Sequence, residues 1–437
     1  MYSDSRFLKA IPNVRTLYLL ASYLLMPLLL LRLAVRGLRD RDYLKRWSER
    51  FALHGPAVPP GGIVVHAASL GEVNAAAPLI RALRIRFPDL PLTVTCFTPT
   101  GSARIRALFA ADVCHVYSPL DLYGAVRRFL SRARPCLLLV METEIWPNLF
   151  FAAGQRGIPL LLANARISDK SFRVYRRLRP LVREALAEVS GFMARSETDA
   201  RRLAELGAAA GRIEVTGNLK FDLDVPDGLH EHGLALRRSW GLQRPVLLAG
   251  STHQEDEVAL IEAFKGLLGG FPTALLVLVP RHPERFQLAA QLVRAAGLSV
   301  QMQSAGADCP ASTQCLVVDA MGELLRCYAA CDVAFVGGSL APVGGHNLLE
   351  PAALSVPVLF GPHTSNAADI TAQLLAAGAA QVVRDAAELE QAAARLLGDE
   401  ALRQSMGAAG LALVQSGRGA LGRTLQIAAG LLVRPLA

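Results

Sequence analysis

The second half of the sequence contains two glycine pairs in a setting typical of an anion site. The apolar run 333–336 predicts a buried strand, and Gly337-Gly338 ends it. A second pair, Gly344-Gly345, precedes Asn347, a good capping residue that predicts a helix start. Backbone N–H groups at such a turn and the helix dipole bind anions, and glycine lets a phosphate approach closely. Glu350 follows Asn347 by about one helical turn, within reach of a ribose hydroxyl.

The first half of the sequence contains carboxylates at positions suited to acid and base chemistry. Glu72 begins a predicted helix directly after Gly71. A single glutamate at a helix start is commonly a surface residue that complements the helix dipole, so Glu72 alone has two interpretations. Glu142 and Glu144 follow another predicted strand. They are either an acid/base pair or partners of nearby arginines.

The elements that position these residues alternate between strand and helix, which indicates an α/β fold with parallel sheets. The strands of the first half are predicted at 63–67, 92–96, 136–140, 159–163, 191–194 and 213–215. Those of the second half are predicted at 246–249, 274–279, 315–318, 333–336 and 356–360. Ligands in such sheets bind beyond the carboxyl ends of the strands, where most polar clusters of this sequence fall. We therefore predict two doubly wound, Rossmann-like domains that face a cleft.

The boundary between the two domains is predicted from a change in composition. The polar stretch 223–233 contains one proline and two glycines, which is typical of a linker. The predicted domains are therefore 51–222 and 234–437, and residues 1–50 form a separate N-terminal segment.

Residues 1–50 combine positive charge with an apolar run. They hold ten cations and four anions, a large share of the chain's net charge of +9. The uncharged run Thr16–Leu31 is interrupted by Pro27 and is short for a full span, which needs about 20 residues. Arginines follow the run directly, and positive charge is retained on the cytoplasmic side of a membrane. We therefore predict an uncleaved N-terminal membrane-anchor helix, rather than a signal peptide, that either spans the membrane or lies in its inner leaflet.

The remaining composition narrows the classes of partner and ligand. The apolar run beside the basic residues favours a membrane over nucleic acid as their partner. The seven cysteines are scattered without a Cys-x-x-Cys pair, which favours free thiols in a reducing compartment. Asp222-Leu223-Asp224 falls in the predicted linker, and the histidines lack zinc-site spacing, so we expect no metal.

Several segments together resemble the Kdo transferases, a family of GT-B glycosyltransferases that act on 3-deoxy-D-manno-octulosonic acid (Kdo). The resemblance covers about 62–362, with the motifs in the family's order. The segments that carry it are 68–72 (Ala-Ser-Leu-Gly-Glu), 141–148 (Met-Glu-Thr-Glu-Ile-Trp-Pro-Asn), 217–222 (Gly-Asn-Leu-Lys-Phe-Asp), 280–281 (Pro-Arg), 321–323 (Met-Gly-Glu) and 347–351 (Asn-Leu-Leu-Glu-Pro).

This resemblance implies a reaction and a role for each matching residue. The implied reaction is inverting transfer of Kdo from CMP-Kdo to a lipid A precursor of the lipid IVA type, at the cytoplasmic side of the inner membrane. Glu72 would be the general base, with a pKa set by the opposing effects of the helix dipole and burial, and Glu142 and Lys220 would stabilise the transition state. No cofactor beyond the donor is implied. The residues implied for the CMP of the donor are Pro280, Arg281, Met321, Gly322, Glu323, Asn347, Leu348, Leu349 and Glu350.

Two other functions are compatible with the same pattern. One is a different GT-B activity, such as a nucleotide-sugar epimerase. The other is a membrane-associated nucleotide-binding protein without catalytic activity. Only the Kdo transferase interpretation predicts that Kdo appears in a lipid product.

Overall fold

The computed structural model describes residues 14–142, 144–306 and 308–432. The described chain divides into two compact units. The first unit contains the residues up to Asp222 and those from Arg418 onward, and the second contains Leu223–Gly417.

The first unit is built on a parallel sheet of seven strands. Its strands are β1 (Ile63–His66), β2 (Leu92–Cys96), β3 (Cys114–Tyr117), β4 (Leu137–Met141), β5 (Leu160–Ala165), β6 (Gly191–Ala194) and β7 (Ile213–Val215). The order across the sheet is β3-β2-β1-β4-β5-β6-β7. The central strands are continuous apolar runs, because helices cover both faces of the sheet. The chain reverses its direction of winding between β1 and β4, and the carboxyl ends of these two strands are where a doubly wound sheet binds ligands.

The helices of the first unit precede and connect these strands. They are α1 (Val14–Leu24), α2 (Met26–Arg39), α3 (Trp47–Arg50), α4 (Leu70–Arg86), α5 (Pro99–Phe109), α6 (Tyr123–Ala133), α7 (Pro147–Gly154), α8 (Asp169–Arg177), α9 (Arg179–Ala187) and α10 (Glu197–Leu206). A short 3₁₀ helix, Leu219–Phe221, follows β7.

The second unit repeats this plan with another parallel sheet of seven strands. Its strands are β8 (Val246–Thr252), β9 (Leu275–Pro280), β10 (Val300–Met302), β11 (Cys315–Val317), β12 (Val333–Val336), β13 (Val358–Phe360) and β14 (Ala380–Val382). They are ordered β10-β11-β9-β8-β12-β13-β14, so the winding reverses between β8 and β12.

The helices of the second unit, and one that follows it, complete the chain. Those of the second unit are α11 (Leu229–Trp240), α12 (Gln254–Leu267), α13 (Phe286–Ala295), α14 (Leu324–Tyr328), α15 (Leu349–Ala353), α16 (Ala368–Ala376), α17 (Ala386–Gly398) and α18 (Glu400–Gly417). The last described helix is α19 (Ala420–Leu432).

The α/β class and the two parallel sheets were predicted from the sequence and are confirmed. Three strands were not predicted, namely β3, β10 and β14. All three lie at sheet edges and are only partly buried, so their residues do not form the apolar runs that identify central strands.

The domain boundaries differ from the prediction at the end of the chain. The prediction assigned 234–437 to the second domain, but α19 belongs to the first unit. Ala420 and Ala428 are buried in the core under the first sheet, and Asp222 accepts the backbone N–H groups of Gly419 and Leu421, both at 2.7 Å. The predicted linker 223–233 lies in the second unit and already contains the first turn of α11.

The N-terminal helices are partly integrated into the first unit. Leu33 of α2 is buried, and the hydroxyl of Tyr18 in α1 donates to Asp121 at 2.8 Å. No single described helix is both long and apolar enough to cross a membrane, although α1 and α2, bent by 43°, pass that test as a pair. Residues 1–13 of the predicted anchor lie outside the described residues. Residues 14–50 belong to the first unit and do not form a unit of their own.

Candidate active site

Glu72 lies just beyond the carboxyl end of β1, in the first turn of α4. The side chain of Ser69 accepts the backbone N–H of Glu72 at 3.4 Å, which caps the helix. In return the Glu72 carboxylate accepts the backbone N–H of Ala68 at 2.8 Å and the hydroxyl of Ser69 at 2.9 Å. This is a variant of the capping box, shifted by one residue. It fixes the position of a carboxyl group in a residue that is only 8% exposed.

The environment of Glu72 makes it an unusually strong carboxylate base. Burial raises the pKa of Glu72 to about 8, and the nearby carboxylates of Glu144 and Glu142 add to this rise. The hydrogen bonds from Ala68 and Ser69 oppose it. Burial therefore outweighs the effects that favour the ionised form.

Glu144 is held beside Glu72 by an aromatic neighbour. The indole N–H of Trp146 donates to Glu144 at 2.5 Å, and burial raises the pKa of this carboxyl. His66, at the end of β1, meets the Trp146 ring edge-on with centroids 5.2 Å apart. The Nδ1 atom of His66 lies 2.9 Å from the hydroxyl of Thr95, and burial lowers the pKa of His66 to about 4. His66 is therefore a neutral ring that supports Trp146.

Glu142 and Lys220 follow β4 and β7, which end at the same edge of the sheet with β5 and β6 between them, and the two side chains interact electrostatically. Glu142 directly follows β4 and has a left-handed backbone, with φ +56°, which is uncommon for a residue with a side chain. Lys220 lies in the 3₁₀ helix after β7, and burial lowers the pKa of its ammonium group while Glu142 opposes that change. Thr143, between the two glutamates of this segment, lies outside the described residues.

A carboxylate of the protein itself binds backbone N–H groups of the glycine turn after β12. Asp256, in the first turn of α12, accepts the backbone N–H groups of Gly338 at 2.7 Å, Leu340 at 3.0 Å and Ala341 at 3.1 Å. It also accepts the N–H of His253 at 3.0 Å and has no exposed surface. These three N–H groups of the turn are thus taken by Asp256 and are not available to a phosphate, contrary to the expectation for this turn.

Two histidines meet beside this turn. The Nε2 atoms of His253 and His346 lie 3.0 Å apart, so one ring donates to the other, and the rings are stacked with centroids 5.3 Å apart. His282 meets His253 edge-on at 5.6 Å. Burial, together with the charge of Arg281, lowers the pKa of His346 to about 4. Among the described residues no group of three or more His, Cys, Asp or Glu side chains is placed to hold a metal ion.

The segment after the second glycine pair differs in detail from the prediction. The helix α15 begins at Leu349 and has only five residues, too few for a helix dipole to form an anion site. Asn347 accepts the N–H of Leu349 at 3.2 Å and donates to Glu350 at 3.0 Å. Burial raises the pKa of Glu350, while Asn347 and the charge of Arg281 lower it.

The other residues implied for the donor divide into exposed and buried groups. Met321 and Arg281 are exposed, and Gly322 has a φ of +91° that favours glycine. Leu348 and Leu349 are buried, so only their backbone groups are available to a ligand. Two further residues complete this set: Pro280, which ends β9, and Glu323, which pairs with Arg326 at 3.1 Å.

Comparison with known proteins identifies the family. The family model described as 3-deoxy-D-manno-octulosonic-acid transferase (kdotransferase) matches residues 45–223. The chain is 39% identical over 404 residues to a 3-deoxy-D-manno-octulosonic acid transferase of Haemophilus influenzae, covering 92% of this chain and 95% of that protein. It is 40% identical over 419 residues to the transferase of the same name from Bordetella pertussis, covering 90% and 96%.

The chain belongs to the 3-deoxy-D-manno-octulosonic acid transferase family.

Solved structures that resemble this Kdo transferase family member show its fold class. A glycosyltransferase from Rickettsia africae is 13% identical with a TM-score of 0.53, covering 86% of this chain and 99% of that one. A putative UDP-N-acetylglucosamine 2-epimerase from Listeria monocytogenes is 13% identical with a TM-score of 0.52, covering 84% and 95%. Together with the two parallel sheets, these likenesses confirm the predicted GT-B fold.

Sequence reasoning missed several residues of the site in this Kdo transferase family member. Asp256 stands three positions after His253, the spacing of a capping box, and that pattern could have been noticed. His66 and Trp146 carry no comparable signal, because their association depends on β1 and β4 lying side by side.

Proposed function

We propose that this chain is an inverting glycosyltransferase that transfers Kdo from CMP-Kdo to a hydroxyl group of a lipid A precursor in lipopolysaccharide biosynthesis. Membership of the Kdo transferase family supports the transferase activity and the sugar. The observation that carries the mechanism is the Glu72 carboxyl group, which is buried, fixed by two hydrogen bonds and has its pKa raised to about 8.

Glu72 is the general base of the proposed reaction. A hydroxyl group is a poor nucleophile until its proton is being removed, and inversion requires a base on the side of the acceptor. A carboxylate whose pKa is about 8 takes up a proton far more readily than an ordinary glutamate. The proton passes from the acceptor hydroxyl to Glu72, the hydroxyl oxygen bonds to the anomeric carbon of Kdo, and CMP leaves with the electrons of the broken bond.

Glu142 and Lys220 are the proposed charge-stabilising residues. Burial lowers the pKa of Lys220, and the charge of Glu142 opposes that change, so Glu142 favours the ammonium form that the proposed role needs. A partly buried cation stabilises developing negative charge more strongly than an exposed one, because its field is less screened. This scheme requires no metal or other cofactor. That the reaction proceeds without one stays a prediction.

The CMP moiety is assigned to the segments that end β9, precede α14 and surround α15. Glu350 supplies a carboxylate oxygen for ribose hydroxyls, and Asn347 holds that carboxylate in place at 3.0 Å. Arg281 is exposed and follows β9 directly, so its guanidinium is available to a phosphate. The assignment of Pro280, Met321, Gly322, Glu323, Leu348 and Leu349 to the same ligand rests on the family resemblance.

The lipid acceptor suits the N-terminal helices. Leu24 and Leu28 are 81% and 66% exposed on α1 and α2, and arginines follow in α2. An exposed apolar face beside basic residues binds the surface of an anionic membrane. Together with the family resemblance, this supports our proposal that the enzyme acts at the cytoplasmic side of the inner membrane.

A single assay tests the proposed reaction. Purified protein is incubated with CMP-Kdo carrying labelled Kdo and with a lipid A precursor, and the lipid fraction is analysed by mass spectrometry. We expect a lipid product that has gained one or more Kdo groups, together with free CMP. Release of CMP without a lipid product, or conversion of a nucleotide sugar to its epimer, would reject the proposal.

A further inference from the structure

Four neighbouring strands of the first sheet end in polar residues that the proposed mechanism uses only in part. β4, β5, β6 and β7 are adjacent and parallel, so their carboxyl ends share one edge. Glu142 follows β4, Asn164 lies near the end of β5, Arg195 follows β6 and Asn218 follows β7. Polar residues therefore extend along this edge from Glu142, which belongs to the proposed site, to the ends of three further strands.

The two asparagines of this edge each present a buried amide group. Asn164 is fully buried, and Asn218 is 6% exposed. Within the described residues, neither Nδ2 atom has a hydrogen-bond partner. A buried donor without a partner costs free energy, so two of them at one sheet edge need an explanation.

The orientation of both amides follows from their other hydrogen bonds. The Oδ1 atom of Asn164 accepts the backbone N–H of Leu219 at 3.0 Å, and that of Asn218 accepts the N–H of Lys220 at 3.1 Å. Rotating either amide by 180° would place an NH₂ group against a backbone N–H. The unsatisfied atoms are therefore donors, which are suited to an acceptor such as an oxyanion.

The charge at this edge also favours an anion. Lys220 interacts electrostatically with Glu142, Arg195 and Arg166. Arg195 also interacts with Glu142, Arg166 and Asp199. Three cations thus stand near two carboxylates, those of Glu142 and Asp199, so positive charge is still in excess. Arg166, Arg195, Lys220 and Glu142 are half-buried, so water screens their charges incompletely.

We propose that Asn164 and Asn218, together with Arg166, Arg195 and Lys220, form a subsite for an oxyanion carried by one of the two substrates. The proposal rests on the proposed function for the identity of those substrates. Two groups have the required chemistry, a phosphate monoester on the lipid acceptor and the carboxylate of Kdo in the donor. The amides supply directed donors, and the cations supply the charge that balances the bound group.

The test replaces each amide with a carboxylate of the same shape. Asn164→Asp and Asn218→Asp retain the oxygen that accepts the backbone N–H, so the fold is kept, but a charge that repels oxyanions replaces the NH₂ donor. Gln155→Glu is the matched control. This substitution makes the same amide-to-carboxylate change at an exposed residue just after the end of α7. The helix α7 begins beyond the carboxyl end of β4 and runs away from that sheet edge, so Gln155 lies at its far end.

Steady-state kinetics identify the source of the oxyanion. They are measured with the phosphorylated and the dephosphorylated acceptor, with CMP-Kdo as donor and CMP as inhibitor. If the acceptor phosphate binds here, both variants raise the acceptor KM about ten- to a hundred-fold, because each loses one hydrogen bond to a charged group. That rise disappears with a dephosphorylated acceptor, and the KM for CMP-Kdo is unchanged. If the Kdo carboxylate binds here, the KM for CMP-Kdo rises by a similar factor, whereas inhibition by CMP alone is unchanged.

A second measurement does not depend on turnover. Millimolar inorganic phosphate, at constant ionic strength, should raise the melting temperature of the wild-type protein and of Gln155→Glu more than that of either aspartate variant. If the wild type transfers no Kdo but this difference is present, the subsite stands and the proposed function fails. Kinetic constants within twofold of wild type, together with equal phosphate shifts in all four proteins, would overturn the subsite.

Discussion

The carboxylate of Asp256 accepts the backbone N–H of Gly338 at 2.7 Å, across 82 positions of sequence. The same side chain also holds the N–H groups of Leu340 and Ala341, so the turn after β12 is tied to the start of α12. A glycine turn of this kind is expected to bind a phosphate, but here an internal anion takes that role. The turn is thereby fixed beside the histidine pair and ahead of the residues proposed to bind CMP.

Replacing Asp256 with asparagine should weaken donor binding. The NH₂ group of asparagine would face backbone N–H groups that the carboxylate now accepts, so the turn must shift. We expect the dissociation constant of CMP to rise about tenfold or more and the melting temperature to fall, while the acceptor KM changes little. Calorimetry with CMP measures the first effect.

Asp385→Asn is the matched control, since Asp385 caps α17 and accepts the N–H of Glu388 at 2.8 Å far along the chain from the turn. If Asp256→Asn binds CMP as tightly as this control, the turn does not position the donor site.

Replacing Glu72 with glutamine should abolish most transfer without affecting donor binding. Glutamine retains the shape of the side chain but cannot take up the proton of the acceptor hydroxyl. Transfer should fall by about 10²–10⁴, the usual contribution of general-base catalysis. CMP binding should be retained and the melting temperature should not fall, and a folded variant with near wild-type turnover would move the role of base to Glu142.

The pH dependence of the wild type should report the pKa of Glu72. A base must be ionised to act, and burial raises this pKa to about 8, so kcat/KM should increase from neutral pH and level off above about pH 8. An activity that is already constant from pH 6 upward would contradict the raised pKa.

The same pKa predicts how stability depends on pH. The folded-state pKa of Glu72 lies above the usual glutamate value, so the stabilisation it contributes is fully present below about pH 4.5 and is lost as the pH rises through about 8. Glu72→Gln should therefore gain stability relative to the wild type across this interval. Urea unfolding of both proteins at several pH values measures the difference.

Replacing Glu350 with alanine should weaken CMP binding roughly ten- to a hundred-fold, because a charged hydrogen-bond acceptor for the ribose is lost. Glu388→Ala is a suitable control, since that glutamate is paired with Arg384 at 3.0 Å at the start of α17. Equal CMP affinities of the two folded variants by calorimetry would remove Glu350 from the donor site.

Membrane binding should depend on the exposed leucines of the N-terminal helices. Deleting these helices would also remove buried contacts such as that of Leu33, so substitution is the cleaner test. Leu20, Leu24 and Leu28 changed together to glutamine should reduce flotation with anionic vesicles several-fold while the melting temperature is retained.

The control for this triple substitution changes three exposed leucines of the second unit, Leu242, Leu288 and Leu375, to glutamine. If both triple variants float as well as the wild type, the membrane contact lies elsewhere in the protein.

The sequence alone determined the fold class, the central strands and the family. Central parallel strands are buried on both faces, so they appear as apolar runs, and the polar residues that follow them mark the ligand-binding edge. Glu72 and Glu142 could be selected in this way because each stands directly after or close to such a run, whereas Lys220 was implied by the family resemblance. The family motifs are equally local, since each spans fewer than ten residues.

Only the tertiary structure decided the properties that depend on residues far apart in the chain. The pKa of Glu72 is set by burial and by Glu144, which reaches it because β1 pairs with β4. Asp256 meets Gly338 only when β12 lies beside β8, and Asn164 meets Leu219 across 55 positions of sequence. The last helix joined the first unit for the same reason: its apolar face matches a core assembled from strands far earlier in the chain, which no local pattern specifies.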